Sequence, residues 1–395
     1  MSDSPFYIEV ASSQKNHVGE RICGDTFLSQ RVKEEKRTVV VLSDGMGHGV
    51  KANMLSTLTA TMALNFTREH KDPHKITEII MNTLPVCSVR KVSYSTFTIV
   101  DIEDNGITTI VNYDNPDPII MRGQEFFMPQ WNNIVLNSEK NKGKEIKMCS
   151  FQAQKEDRII LLTDGVTQSG LGKPNFLLGW EWENVTRMVK NSLLENAGIS
   201  ASKLAGNIVI KAHANDGYQP KDDISSAVIY FRSPRKLLLC SGPPYDKNQD
   251  TRLAGVVQNF EGKKILCGGT TADIIGRELN IPVKDTLEFD DPDLPPLSYM
   301  EGIDLVSEGI LTLSKIAGIL EHFNPQTELG KGPADQVVKM FLESDEIDFR
   351  VGTAVNIAHQ DPNLPVELEI RRTVVKKIAR LLEEKFLKDV KLQFI

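Results

Sequence analysis

The chain has 395 residues, about two to three times the usual length of a single domain, so we expect two domains. Its 46 Lys and Arg against 53 Asp and Glu give a net charge of −7, which disfavours nucleic acid and anionic membranes as partners. A content of 40% hydrophobic and 25% charged residues is typical of globular proteins and excludes disordered and fibrous ones.

The sequence carries no pattern for export or membrane insertion. Its first residues lack the basic and apolar segments of a secretory signal, and no apolar run approaches the roughly 18 residues of a membrane span. The five cysteines are scattered and include no Cys-x-x-Cys pair, so we expect reduced thiols rather than disulfides or a thiolate zinc site. These features predict a soluble, cytoplasmic protein.

Strands dominate the prediction for residues 1–232. Alternation of apolar and polar residues predicts them at Phe6–Val10, Thr38–Leu42, Thr96–Ile102, Ile107–Tyr113, Arg158–Leu162 and Ser226–Phe231. Helical spacing predicts helices over Val50–His70, Pro73–Leu84 and Ser200–His213. In the first of these, Met54, Leu58, Met62 and Leu64 fall close to one helical face. Because strands and helices are grouped rather than strictly alternating, we expect an α+β domain.

The sequence pattern changes at the turn Arg232-Ser233-Pro234-Arg235, so we predict domains at residues 1–232 and 233–395. Downstream, each predicted strand leads through a turn into a helix. The predicted strands are Lys236–Cys240, Lys263–Cys267 and Ile303–Val306, and the predicted helices are Ala272–Leu279, Ser307–His322 and Arg371–Leu387. This order predicts a smaller α/β domain with a mainly parallel sheet.

Aspartates follow or precede several buried strands of the first domain. The runs Ser43-Asp44-Gly45-Met46-Gly47-His48-Gly49 and Thr163-Asp164-Gly165 each end an apolar strand. Asp222 and Asp223 come directly before the last strand, and Asp25 lies before the first long strand pair. Carboxylates converging at sheet ends without His or Cys suit hard cations, so we expect Mg²⁺ or Mn²⁺, with room for two ions.

Each of these aspartates has a simpler interpretation when taken alone. Asp-Gly is a common hairpin signal, and Asp222-Asp223 is equally compatible with a solvated turn. Turn chemistry does not readily produce the joint pattern, in which two apolar strands each end in Ser/Thr-Asp-Gly and an Asp-Asp pair precedes a third. We therefore favour a functional site over a set of turns.

In this order the three motifs resemble the metal-dependent protein phosphatases (PPM group, protein phosphatase 2C), and specifically the stage II sporulation protein E branch. The resemblance covers residues 1 to about 232. It implies a β-sandwich flanked by helical layers, with a dinuclear Mn²⁺ or Mg²⁺ site at one rim. The metal-ligand positions of the family fall on Asp25, Asp44, the carbonyl of Gly45, Asp164 and Asp222, with Asp223 as a further candidate.

The resemblance implies hydrolysis of phosphoserine or phosphothreonine in a protein substrate, in bacterial signalling, with Asp44, Asp164 and Asp222 as catalytic residues. His48 is a candidate for orienting phosphate or protonating the leaving alkoxide, although an exposed loop histidine is an equal alternative. The competing function is a catalytically inactive sensor or scaffold that binds phosphoproteins. For Ser95 we expect a buried hydroxyl that satisfies the backbone.

Two departures from the family concern the phosphate-binding cleft. Arg21 lies near the position of a phosphate-binding arginine, but no motif fixes it there. The segment Asn112-Tyr113-Asp114-Asn115-Pro116 stands where this branch usually has a glycine-containing turn. We therefore expect a reshaped loop that brings an additional acidic group near the cleft.

The second domain has a glycine turn between a strand and a helix, at Gly268, Gly269, Thr270 and Thr271. Free N–H groups at such a helix start favour an anion, while the alternative is a tight turn with Thr271 as the helix cap. Loops at Gly242 and Glu308 lie at neighbouring strand ends. The sequence predicts a regulatory domain that binds a small anionic effector, with protein docking as the alternative.

Overall fold

The computed structural model describes residues 6–32, 34–69, 72–83, 95–136, 141–285, 291–324, 327–354, 365–386 and 388–395. It separates into two compact units, Met1–Ser233 and Pro234–Ile395. Within these described stretches, every helix is too short or too polar to cross a bilayer.

The described residues of the first unit form two antiparallel sheets. Its strands are β1 (Tyr7–Lys15), β2 (Thr26–Val32), β3 (Arg37–Gly45), β4 (Ser95–Ile102), β5 (Ile107–Tyr113), β6 (Ile119–Arg122), β7 (Glu125–Phe126), β8 (Asn132–Val135), β9 (Glu145–Gln152), β10 (Asp157–Leu162) and β11 (Ile224–Arg232). One sheet has the order β2-β3-β4-β5-β9-β8 and the other β1-β11-β10-β6-β7. Short strands such as β7 and β8 were not predicted, because two to four residues are too few to display alternation.

The central strands are apolar along their whole length because both of their faces are covered. In β3, Val40 and Leu42 pack into the core between the two sheets, whereas Val39 and Val41 pack against helices. In β10, Ile159 and Leu161 face the same central core. The two sheets therefore form the expected sandwich, and the residues just beyond β3 and β10 reach its rim.

Helices cover the outer face of each sheet. They are α1 (Gly49–Arg68), α2 (Pro73–Thr83), α3 (Asp164–Thr167), α4 (Trp182–Glu195) and α5 (Ala201–Asn215). Helices α1 and α2 pack on the sheet that contains β3, and α4 and α5 pack on the other. Ser200 caps α5 by accepting a hydrogen bond from the N–H of Lys203. The expected α+β sandwich flanked by helical layers is thus confirmed.

The predicted apolar face of α1 is only partly buried. Met62 and Leu64 pack against the core of this sheet, whereas Met54 and Leu58 are 68% and 46% exposed. Small residues line the buried face instead, namely Gly49, Ala52, Ser56, Thr59, Ala60, Ala63 and Thr67. They let the helix lie close against the sheet, since a Cβ atom on Gly45 would stand 2.1 Å from the carbonyl oxygen of Ala52. Close backbone packing has here overridden hydrophobic periodicity.

The second unit is built on a mainly parallel sheet, as expected. Its strands are β12 (Lys236–Ser241), β13 (Lys263–Cys267), β14 (Lys284–Asp285), β15 (Ser298–Tyr299), β16 (Leu305–Ser307), β17 (Glu346–Val351) and β18 (Asp389–Phe394). The order is β14-β15-β16-β13-β12-β17-β18, and the last five strands in this order are parallel. Because the chain proceeds outward from β12 in both directions, this is a doubly wound sheet.

Helices lie on both faces of this sheet: α6 (Asp250–Asn259), α7 (Gly269–Leu279), α8 (Ile310–His322), α9 (Pro333–Glu343) and α10 (Pro365–Glu384). Helices α8, α9 and α10 share one core, and α6 and α7 share the other. Helix α7 begins at Gly269 rather than at the predicted Ala272, and α10 begins at Pro365 rather than at Arg371. The end predicted at Leu387 lies outside the described residues.

We predict that residues 1–233 fold without the second unit. The three apolar cores of the first unit contain its own residues alone among those described, so removing residues 234–395 takes nothing from them. Urea unfolding of the isolated fragment, followed by circular dichroism and by tryptophan fluorescence, should give one coincident cooperative transition. An aggregated fragment, or two transitions that do not coincide, would show that the units depend on each other.

Candidate metal centre

Three sequence-predicted aspartates are brought together at the rim of the sandwich. Asp44 lies at the end of β3 in one sheet, Asp164 starts α3 directly after β10, and Asp222 precedes β11. Strands β10 and β11 are antiparallel neighbours in the second sheet, and the N–H of Thr163 donates to the carbonyl of Ser225. All three carboxylates line one cleft of about 620 Å³.

Neither Asp-Gly pair is a hairpin turn, so that alternative is wrong for both. Asp44 and Gly45 are still part of β3, and Asp164 and Gly165 belong to α3. Each glycine is required by close packing instead. A Cβ atom on Gly165 would stand 2.1 Å from the carbonyl oxygen of Asp223, as close as the contact between Gly45 and Ala52. The two glycines thus draw the acidic segments together at the rim.

Asp25 lies behind the cleft and is almost completely buried. Its Oδ2 accepts hydrogen bonds from the hydroxyls of Ser225, at 2.5 Å, and Thr163, at 3.0 Å. Its Oδ1 is buried and has no hydrogen-bond partner. Burial raises the pKa of Asp25 to about 8, and the negative charges of Asp223 and Asp222 add to the shift although the two hydroxyls oppose it.

The carboxylates on the cleft repel one another. Burial raises the pKa of Asp44 well above its usual range, and the charges of Asp25, Asp164 and Asp222 raise it further. The pKa of Asp222 rises to about 6, first through burial and then through the charge of Asp164. No Lys or Arg in the described part of the chain forms an ion pair with Asp44, Asp164 or Asp222. The charge of His17 opposes the rise in the pKa of Asp222 but does not cancel it, so the cluster keeps an excess of negative charge.

The donor chemistry of these residues fits a hard divalent cation. Buried carboxylate oxygens of Asp25, Asp164 and Asp223 have no hydrogen-bond partner, and the side-chain donor set is oxygen alone. Across the described residues, no three His, Cys, Asp or Glu side chains form a closed metal site. The side chains of Asp44 and Asp164 are close enough to share a hydrogen bond, and the unpaired buried oxygens are the observation that points to a cation here.

Asp223 faces away from the cleft. Its side chain is buried beside Gly24, and its Oδ1 accepts a hydrogen bond from the N–H of His17 at 3.0 Å. The backbone N–H of Asp223 donates to Oδ1 of Asp222 at 2.9 Å. Asp223 therefore orients Asp222 through the backbone, and its place as a metal ligand stays a prediction.

His48 and Arg21 are absent from the described residues that line the cleft. The Nδ1 atom of His48 lies 2.7 Å from Oε1 of Glu20, and its ring stacks on that of His17 with centroids 4.1 Å apart. The His48 side chain is 52% exposed. This geometry anchors the start of α1, while direct contact of His48 or Arg21 with phosphate stays a prediction.

Several cleft residues were missed by sequence reasoning. Glu145 and Lys147 come from β9, and Lys147 is the one positively charged side chain among the described lining residues. Its Nζ lies 2.8 Å from Oδ1 of Asp117. Gln168 donates to Oδ2 of Asp164 at 2.9 Å. Only alternation along β9 carried a signal for Glu145 and Lys147, and this signal indicates exposure rather than a cleft.

The additional acidic group expected near the cleft is Asp114, whose side chain lines it. Asp114 has φ +59°, a conformation that glycine adopts more easily, and a reshaping of this loop relative to the family stays a prediction. Loss of hydration raises the pKa of Asp114 although the residue is partly exposed, and the charge of Asp164 raises it further. Ser95 is buried as expected, and its hydroxyl donates to the carbonyl of Asp44 at 2.7 Å.

In the second unit, the predicted anion-binding turn is partly occupied by internal contacts. Thr271 is fully buried, and its Oγ1 accepts a hydrogen bond from the N–H of Gly242 at 2.8 Å. The carboxylate of Glu308 accepts from the N–H of Leu311 at 3.0 Å, so an acidic side chain already occupies the start of α8. Thr271 is not the cap of α7, because Gly268 holds that position.

The exposed part of this turn is confined to Gly269 and Thr270. Anion binding at residues 268–271 stays a prediction. The loop after β17 approaches the loop after β12 closely, since a Cβ atom on Gly352 would stand 2.0 Å from the carbonyl oxygen of Pro243. The strand ends of this unit are therefore packed against one another by backbone.

A family model for stage II sporulation protein E (SpoIIE) matches residues 34–232. The phosphatase domain of SpoIIE from Bacillus subtilis is similar to the chain at 16% identity and a TM-score of 0.43, covering 58% of this chain and 93% of that one. The catalytic domain of the serine/threonine phosphatase PstP, solved with two manganese ions, has 13% identity and a TM-score of 0.37, covering 57% and 99%.

RsbX in complex with magnesium has 20% identity and a TM-score of 0.40, covering 57% of this chain and 95% of that one. Comparison with curated protein sequences gives no match. Structural similarities at this level assign no residue of the cleft, whose description rests on the contacts given above.

Without divalent cations, we expect the protein to lose stability as the pH rises from about 4 to about 8. The folded-state pKa values of Asp25, about 8, and Asp222, about 6, lie above the ordinary aspartate value of 3.8, so the folded state holds protons that the unfolded chain has released. The contribution of protonated Asp25 and Asp222 to the free energy of unfolding is therefore complete at low pH and disappears as the pH rises past these pKa values. Thermal unfolding midpoints recorded in EDTA between about pH 4 and about pH 8 measure this loss of stability.

Asp44→Asn provides the matched comparison, because it removes one of the repelling charges without removing the side chain. At pH 8 in EDTA we expect its midpoint to exceed that of the wild type by about 2–4 °C, the shift that about 1 kcal/mol produces in a domain of this size. Mn²⁺ should raise the wild-type midpoint more at pH 8 than at pH 5, since it competes with protons. Wild-type and variant midpoints that change in parallel would contradict this electrostatic account.

Proposed function

The chain belongs to the stage II sporulation protein E family, and we propose that it is a metal-dependent phosphatase acting on phosphoserine or phosphothreonine in a protein substrate. One observation carries the proposal. Asp44, Asp164 and Asp222 come from two facing sheets, line a single cleft, and form no ion pair with a Lys or Arg among the described residues, since Lys147 of the cleft pairs with Asp117. Such an arrangement costs folding free energy and is retained when a bound cation offsets it.

The ligand set follows from the position of each carboxylate. Asp44, Asp164 and Asp222 would hold Mn²⁺ or Mg²⁺ ions on the cleft side, together with the carbonyl of Gly45, and Asp25 would contribute from behind. Two such ions supply a water of lowered pKa and positive charge for the phosphoryl oxygens. Asp223 completes the cluster as the residue that orients Asp222.

The remaining cleft residues fix these carboxylates and receive the substrate. Gln168 orients Asp164, and the Ser95 hydroxyl fixes the backbone at Asp44. Thr163 and Ser225 hold Asp25 through their hydroxyl groups. Lys147 supplies positive charge on the other side of the cleft, where it would attract a phosphate group, and Asp117 holds its ammonium group in place.

We expect the wild-type protein to hydrolyse p-nitrophenyl phosphate and phosphoserine peptides with Mn²⁺ present, and to stop in EDTA. Asp44→Ala and Asp164→Ala should each lower kcat/KM by about a hundredfold or more, the order of loss when a group that stabilises transition-state charge is removed. Glu195→Ala, which removes an exposed carboxylate at the end of α4, is the matched control and should keep full activity.

Metal binding is measured in parallel by calorimetry with Mn²⁺. Full activity of either aspartate variant would disprove the metal assignment. A wild-type protein that binds Mn²⁺ and phosphopeptide but releases no phosphate would instead establish the non-catalytic sensor as the function.

A further inference from the structure

A second depression of about 680 Å³ lies in the first unit and differs in character from the acidic cleft. We call it the apolar groove. Its walls include Phe126, Met128, Trp131, Leu178 and Trp182. Met128 and Leu178 are 71% and 73% exposed, unusually high for large apolar side chains at neighbouring positions.

The groove is held in shape by hydrogen bonds and close contacts. The indole N–H of Trp182 donates to the carbonyl of Asp117 at 2.7 Å, and its ring meets Phe126 edge to face at 5.5 Å. The N–H of Glu181 donates to the carbonyl of Thr167 at 2.8 Å. A preformed site of this kind binds an apolar side chain without first paying a large ordering cost.

The groove continues directly from the acidic cleft. Pro116 and Gln168 line both, and Gln168 is hydrogen-bonded to Asp164. A chain with its phosphorylated residue at the aspartates can therefore cross Pro116 and Gln168 and place a nearby side chain in the groove. An extended chain advances about 3.3 Å per residue, so a few residues suffice for this step.

Charge at the groove specifies the occupant further. Glu181 and Glu183 are exposed at its edge, and neither forms an ion pair within the described residues. Asp117, also in the lining, is paired with Lys147 of the cleft. An occupant that combines a large apolar side chain with neighbouring Lys or Arg residues matches both the walls and the edge.

We infer that the apolar groove is a docking site for the phosphoprotein substrate, which it recognises by a large apolar side chain flanked by basic residues and close in sequence to the phosphorylated residue. This inference rests on the proposed phosphatase function and adds its substrate class. Binding energy gained in the groove positions the phosphate group at the aspartates. A small substrate such as p-nitrophenyl phosphate cannot reach both sites.

The test uses the full chain and lysine-containing phosphoserine peptides in which one leucine is moved through about five positions on either side of the phosphoserine. At one or two of these positions, we expect the leucine peptide to have a kcat/KM about tenfold or more above that of the same peptide with aspartate in place of the leucine. The difference should lie mainly in KM. Met128→Asp and Leu178→Asp should remove this preference. Activity is expressed as the ratio of peptide to p-nitrophenyl phosphate kcat/KM, so that general damage cancels.

Leu194→Asp is the matched control, because Leu194 is 55% exposed on α4 and lies outside the groove, and it should keep the preference. A leucine scan without any preferred position, or a preference that survives both groove variants, would overturn the inference. Tryptophan fluorescence on peptide binding, in the wild type and in a Trp180→Phe background, reports on Trp131 and Trp182 of the groove and separates this outcome from failure of the phosphatase. Leucine-dependent binding without phosphate release would support the groove and reject the catalytic function.

Discussion

Repulsion among buried carboxylates is the interaction that the rest of the first unit has to offset. Asp44, Asp164 and Asp222 stand at the ends of strands from two sheets, and Asp25 lies behind them, so burial and mutual charge raise the pKa of several members. The fold holds them in place by contacts that leave no choice of residue, such as Gly45 against Ala52 and Gly165 against Asp223. Burial of the apolar layers behind this rim, where β3 and β10 are covered on both faces, offsets the free-energy cost of the repulsion.

The same architecture explains why the cleft and the apolar groove are neighbours. The segment after β10 carries Asp164 and Gln168 and then turns back to build the far wall of the groove before α4. Gly179 allows this return, since it has φ +91° and its Cβ atom would stand 2.7 Å from the carbonyl oxygen of Thr167. One continuous segment thus contributes residues both to the cleft and to the groove.

Sequence reasoning located the acidic centre because its signals are local. Apolar strands ending in Asp-Gly are visible in a run of about seven residues, and buried central strands are long enough to be recognised. The groove was invisible because its walls come from short segments around residues 117, 128 and 178 and from the first turn of α4 at Trp182, which are distant in sequence. Spacing placed Met62 and Leu64 of α1 correctly but not Met54 and Leu58, because the close approach of the helix to Gly45 favours small side chains near its start. Contacts between distant segments cannot be read from spacing alone.

The doubly wound sheet of the second unit changes winding direction between β12 and β17, the place where open α/β sheets usually receive a ligand. In this chain the two loops that leave those strands already touch at Gly352 and Pro243. A single added methyl group at Gly352 would force the loops apart by more than an ångström, to judge from the 2.0 Å approach. Any molecule entering there must first separate backbone from backbone, so space rather than charge limits what this end of the sheet can admit.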